Sequence, residues 1–154
     1  MYRTRISISR VFLDPDCGYC DLLRYLTDNY HQQFTGVDIS SGSFPEQSYS
    51  KYGKEFRCIR HNASNLDFIL DNSVDAVVSV WALHEMYHPK SILTEVQRMI
   101  RSGGDIQIVD FSNIYIAHKI LDENYYQPEE IRHFLLKTGF TDIKVRLIEQ
   151  KQVI

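Results

Sequence analysis

The chain has 154 residues, 44% of them hydrophobic and 24% charged, a length and balance that suit one soluble globular domain (1–154) with a core of its own. A net charge of −3 without a dense Lys/Arg run removes the driver for phosphate-backbone binding and argues against nucleic acid as a partner. The longest apolar run, Ala76 to Leu83, falls far short of the ~20 residues a membrane span needs. Residues 1–5 lead into no apolar signal core, and three cysteines, an odd number, make no disulfide framework, so a reducing cytoplasm is expected.

Strands and helices alternate along the chain. Arg10 to Asp14 is a short apolar run ending in an acid, a predicted buried strand. Asp21 to Tyr30 carries Leu22, Leu23, Leu26 and Tyr30 at helical spacing. Phe34 to Ile39 is a predicted second strand, Ser43 to Glu55 a short loose helix, and Phe56 to Ile59 a third strand. Val74 to Trp81 is apolar on both faces, as a central parallel strand should be. Ile92, Leu93, Val96, Met99 and Ile100 form a helical face, and Gly103-Gly104 is expected to stop that helix before a strand from Ile106 to Phe111. Pro128-Glu129-Glu130 places proline and acids where a helix start accepts both, with Gly139 as its end. Thr141 to Ile148 alternates like an outer strand.

This order predicts an α/β fold with a doubly wound, mostly parallel sheet, compact and short at both ends. Ligands of such sheets bind outside the carboxyl ends of the strands, at the switch in strand order. Those ends are Asp14 to Cys20, Asp38 to Ser40, Arg60 to Leu66, Trp81 to His88 and Asp110 to Ser112.

The segments at these ends carry a resemblance. Asp14-Pro15-Asp16-Cys17-Gly18-Tyr19-Cys20 is similar to a glycine-rich Asp-x-Gly-Cys-Gly-x-Gly loop, and Asp38 lies 24 residues beyond Asp14. Asn62 to Leu66, Asp71 to Val78, Pro89 to Phe111 and Thr138 to Thr141 follow in matching order. Together they resemble the class I S-adenosylmethionine-dependent methyltransferases (type 11-like), with a Rossmann-like fold, over residues 10–148. The resemblance implies S-adenosylmethionine as cofactor and a small-molecule substrate. It implies a cofactor site of Asp14, Asp16, Cys17, Gly18, Asp38, Ile39, Asn62, Ala63, Val80 and Trp81, with Asp38 on the ribose diol. Turn amides at the first helix would hold the methionine carboxylate. Asp16 and Cys20 stand where the loop has glycines, and Asn62 where an Asp belongs; the bulk of Asp16 near the cofactor's methionine end and of Cys20 against the following strand is expected to weaken cofactor binding.

Two short motifs suggest other chemistry. Cys17-Gly18-Tyr19-Cys20 at a strand-to-helix turn is the setting of a thiol redox pair. No proline faces it at a later strand, as a thioredoxin-like fold requires. His84-Glu85-Met86-Tyr87-His88 matches the zinc-protease pattern, but Pro89 biases His88 away from helix, so no metal is expected there. Within the methyltransferase reading, His84 is the candidate general base, and Ile114 to Tyr126 a lid. A non-catalytic methyltransferase-like partner subunit is the alternative that the altered loop suggests, and an open sheet edge would invite a homodimer.

Overall fold

The computed structural model describes residues 11–40, 42, 44, 55–111 and 125–146. Five strands form one sheet: β1 (Val11–Asp14), β2 (Gln33–Asp38), β3 (Arg57–Arg60), β4 (Val74–Val80) and β5 (Ile100–Val109). The order is β3-β2-β1-β4-β5, and every pairing is parallel. The order reverses direction between β1 and β4, so the switch point lies above their carboxyl ends. Among the described residues three helices accompany the sheet: α1 (Asp21–Asn29), α2 (Pro89–Met99) and α3 (Pro128–Lys137).

Alternation along the strands builds two cores on opposite faces of the sheet. Phe12, Phe34, Ala76 and Val78 pack with Leu23 and Leu26 of α1 on one face. Leu13, Val37 and Val77 pack with Ile92, Val96 and Met99 of α2 on the other. Residues 74–79 of β4 are all buried, as the run of apolar residues predicted. At α3, Gln127 and Glu130 complete a capping box before Pro128 at the first helical position, which secures the predicted start.

The glycine pair does something other than stop α2. That helix ends at Met99, and Ile100 already has extended backbone. Gly103 and Gly104 lie inside β5, where Val74 pairs with Ile100 and Ala76 with Asp105. Two steps along β4 thus match five along β5, which is a bulge. At Gly104 a Cβ would sit 2.8 Å from the Asp75 carbonyl oxygen, so the close approach of two strands requires glycine there.

Two further expectations change. Residues 141–146 form no strand, and Thr141 to Ile148 otherwise lies outside the described residues, as do most of Ser43 to Glu55 and of Ile114 to Tyr126. Cys20 and Cys58 form a disulfide, although the odd cysteine count argued against one. The reason is register: β3 lies parallel to β2 with Cys58 beside Gly36, on the face that the β1–α1 turn covers. No described helix is long and apolar enough to cross a membrane.

Candidate active site

The carboxyl ends of the five parallel strands lie along one edge of the sheet. The β1–α1 turn carries Asp14, Asp16, Cys17 and Gly18, and β2 ends at Asp38 and Ile39. The turn is bound to β2 by two amides: Cys17 N–H donates to Val37 O (3.0 Å) and Gly18 N–H to Asp38 Oδ2 (2.9 Å). Ser40 N–H donates to Asp38 Oδ1 (2.8 Å) and Asp16 N–H to Asp14 Oδ1 (3.3 Å). The amides of Asp16, Cys17 and Gly18, expected to hold a ligand carboxylate, are therefore committed within the protein.

Cys20 accounts for the turn's shape. Its φ is 59°, the left-handed conformation that the glycine of a similar loop would supply. Its side chain is fully buried in the α1-side core and bonded to Cys58. The redox-pair reading also fails at this point: the disulfide joins Cys20 to Cys58, and Cys17 is the free thiol. Burial, then the charges of Asp14 and Asp38, push the Cys17 thiol up to about 12, the opposite of an activated nucleophile.

The dominant electrostatic feature is a set of carboxyls. Burial pushes Asp14 up to about 7, with Asp38 adding to the rise against the Asp16 N–H that Asp14 accepts. Burial pushes Asp16 to about 7 as well, followed by the charge and hydrogen bond of Asp38 and the charges of Glu85 and Asp14. Acids crowded at two adjacent strand ends resist ionising together, and a cation beside them would relieve that. In the ligand-free chain the crowding makes stability depend on pH. Between the ordinary carboxyl value of 3.8 and about 7, the folded chain holds protons that the unfolded chain releases. Stability is then greatest on the acid side and falls as pH rises through 7. The lowered pKa of Glu95, caused first by its hydrogen bond from Arg98, acts below 4.5, under the interval from pH 5 to pH 8 that tests this effect. Thermal melts should show a lower midpoint at pH 8 than at pH 5; a higher one would mean that these acids ionise freely.

The remaining predicted residues separate into two places. Ile39, next to Asp38, is 69% exposed, an apolar side chain on the open face. In the loop after β3, Asn62 accepts the N–H and hydroxyl of Ser64 on Oδ1 (2.9 and 2.8 Å), while Ala63 is buried in the α2-side core. Arg98 and Glu95 of α2 hold that loop by the Leu66 N–H and the carbonyls of Leu66 and Ile69. Val80 closes β4, and Trp81 follows in a left-handed turn (φ 55°) with its N–H on Val109 O.

Trp81 belongs with a second group. Its ring stacks on Phe111 at 5.8 Å, and Tyr125 stacks on His84 at 4.7 Å. His84 is buried; its backbone N–H donates to Asp110 Oδ2 (3.0 Å) and its Nδ1 lies 2.6 Å from Asp110 Oδ1. A carboxylate only accepts, so Nδ1 carries the proton and Nε2 is the basic atom, 3.7 Å from Glu85 Oε1. Sequence reading named His84 without this partner, although Asp110 ends β5's segment at the carboxyl edge. The H-E-x-x-H segment is a loop of turns between β4 and α2, and His88 stands at the start of α2, so the two histidines do not share a helix face.

Comparison with known proteins agrees with this layout. The chain is 32% identical over 112 residues to phthiotriol/phenolphthiotriol dimycocerosates methyltransferase of Mycobacterium leprae, which covers 70% of this chain and 40% of that protein. The Mycobacterium tuberculosis counterpart is 33% identical over 101 residues, covering 64% and 36%. The chain thus spans about two fifths of the length of these relatives. Its fold matches a SAM-dependent methyltransferase from Archaeoglobus fulgidus with a TM-score of 0.73 at 21% identity, covering 90% of this chain and 64% of that one. It also matches the plantazolicin methyltransferase BamL, solved with a triazolic desmethylPZN analog and SAH, with a TM-score of 0.68 at 18% identity, covering 85% and 54%. A family profile described as a methyltransferase domain matches residues 13–108, more than half of the chain. On these matches, and with five parallel strands in the order 3-2-1-4-5, the chain belongs to the methyltransferase domain family.

Proposed function

We propose that this domain binds S-adenosylmethionine and serves methyl transfer to a small-molecule acceptor. The observation that carries the reading is the crowd of carboxyls, Asp14, Asp16 and Asp38, at the switch point of the sheet. The donor set fits the cofactor. Asp38 already accepts two amides, but a carboxylate has about four acceptor sites, which leaves capacity for a ribose diol. Asp14 and Asp16 favour the ammonium and sulfonium over any anion. Ile39 offers an apolar surface for the adenine. When bound, the cofactor supplies an electrophilic methyl group.

The rest of the chemistry falls to the chain's own side chains. Trp81, Phe111 and Tyr125 form an aromatic wall around His84, which suits an apolar or flat acceptor and keeps water away. His84 takes the acceptor's O–H or N–H proton at Nε2, while Asp110 holds the ring and stabilises the charge that follows. The names of the mycobacterial relatives, methyltransferases of phthiotriol-type compounds, support an acceptor of this kind.

Titration calorimetry with S-adenosylmethionine and S-adenosylhomocysteine tests the first half directly. Both should bind. Asp38→Ala should weaken binding by about 1–3 kcal/mol, the scale of a lost charged hydrogen-bond partner. Unchanged affinity would place the ribose elsewhere. No heat with either ligand would remove the enzyme reading and favour a non-catalytic partner subunit.

A further inference from the structure

The chain's three cysteines come together although 38 residues separate Cys20 from Cys58. Their Sγ atoms all lie within 4.8 Å of one another, and those of Cys17 and Cys20 are 3.4 Å apart. Two come from one turn and the third from the neighbouring strand. Gly36, the residue beside Cys58 in the sheet, leaves room for the Cys17 side chain. A Cβ at Gly36 would meet the Cys17 Cβ and Sγ at 2.6 Å. Cys17 and Cys20 are buried, while Cys58 is only partly so.

We propose that, once the Cys20–Cys58 bridge is reduced, the three sulfurs form a binding site for a soft divalent cation of the zinc or cadmium type. Bond lengths agree with this. A Zn–S distance of about 2.3 Å in tetrahedral geometry sets the sulfurs about 3.8 Å apart, inside the range seen here. Thiolate ligands select soft metals over magnesium or calcium. The partly open side at Cys58 provides an entry path and room for a water as fourth ligand. The chemistry balances without an unnamed reagent. A phosphine reductant and water convert the disulfide to two thiols and phosphine oxide. Each of the three thiols then releases one proton to solvent as its metal–sulfur bond forms. The bound cation would tie the β1–α1 turn to β3, across the strand that carries Asp38. The site is independent of the His84 region and of whether the domain turns over.

The 154-residue chain, reduced with a phosphine and desalted, is titrated with cadmium chloride alone. A thiolate-to-cadmium charge-transfer band in the ultraviolet should grow and saturate at one equivalent. Mass spectrometry after alkylation should show all three cysteines protected. Cys58→Ser should weaken the binding by more than about 100-fold, beyond what changes to outer-shell groups cause. Circular dichroism checks that the variant is folded, and the protection pattern of the unsubstituted chain stands without it. The chain with its bridge intact should give no band. Absence of the band in the reduced chain overturns the proposal. So does protection of fewer than three cysteines, an unaffected Cys58→Ser chain, or equal binding by the oxidised chain.

Discussion

Gly36→Ala should unfold this domain more readily than any other single methyl added to its sheet. The new Cβ would lie 2.6 Å from two atoms of Cys17 and 2.7 Å from Leu23 Cδ1. The leucine tip can rotate away, but the Cys17 Cβ is fixed by its backbone, and Cys17 N–H is bonded to Val37 O in the same strand. To separate them, the β1–α1 turn has to lift from β2, which also stretches the Gly18 N–H to Asp38 bond. Overpacking of this kind costs about 3 kcal/mol, at the high end because the contact is backbone-anchored. Urea titration should show a lower midpoint with an unchanged slope. Cys17→Gly in the same chain removes both contacted atoms and should recover much of the loss. A Gly36→Ala chain with unaltered stability would mean that the turn does not pack on β2 as described.

The second large effect is on turnover. His84→Ala removes the proposed base, and general bases contribute about 10²- to 10⁴-fold. It also leaves Asp110, almost fully buried beside it, without its imidazole partner, so some stability is lost as well. Asp110→Asn keeps the size of the side chain but offers an amide in place of a charge. The imidazole then loses its fixed tautomer and the countercharge for its protonated form, so kcat should drop while His84 stays in place. The measurement is the rate of S-adenosylhomocysteine formation across a panel of aromatic and apolar hydroxyl or amine acceptors. Calorimetry for the cofactor runs alongside. Lower kcat with unchanged cofactor affinity in both variants supports the assignment. Equal rates in wild type and His84→Ala would reduce His84 to a packed core histidine.

These two tests differ in how visible their causes are in the amino-acid sequence. Asp14 and Asp38 could be named from sequence because each ends a short apolar run, and strand ends define the site of a parallel sheet. Burial on both faces of β4 was equally plain, since a central parallel strand needs apolar side chains at every position. The helical stripes of α1 and α2 follow from a local period of 3.6 residues. In all these cases the physical cause lies within a few residues.

The contacts at the candidate site come from register, which a local pattern does not contain. Asp110 reaches His84 only because β5 lies beside β4 in one alignment, joining residues 26 apart. Gly103-Gly104 has the composition of a helix stop, yet tertiary pairing draws it into a strand, where the bulge and the Asp75 carbonyl leave no room for a side chain. Cys58 gave no sign of belonging with Cys17 and Cys20, because it was placed there by the pairing of β3 with β2. The sequence by itself determined where β1 to β4 and the three described helices lie, and which strand ends carry acids, through burial and periodicity. Only the tertiary structure decided which side chains meet, because parallel strands bring together residues whose separation along the chain leaves no repeating signal.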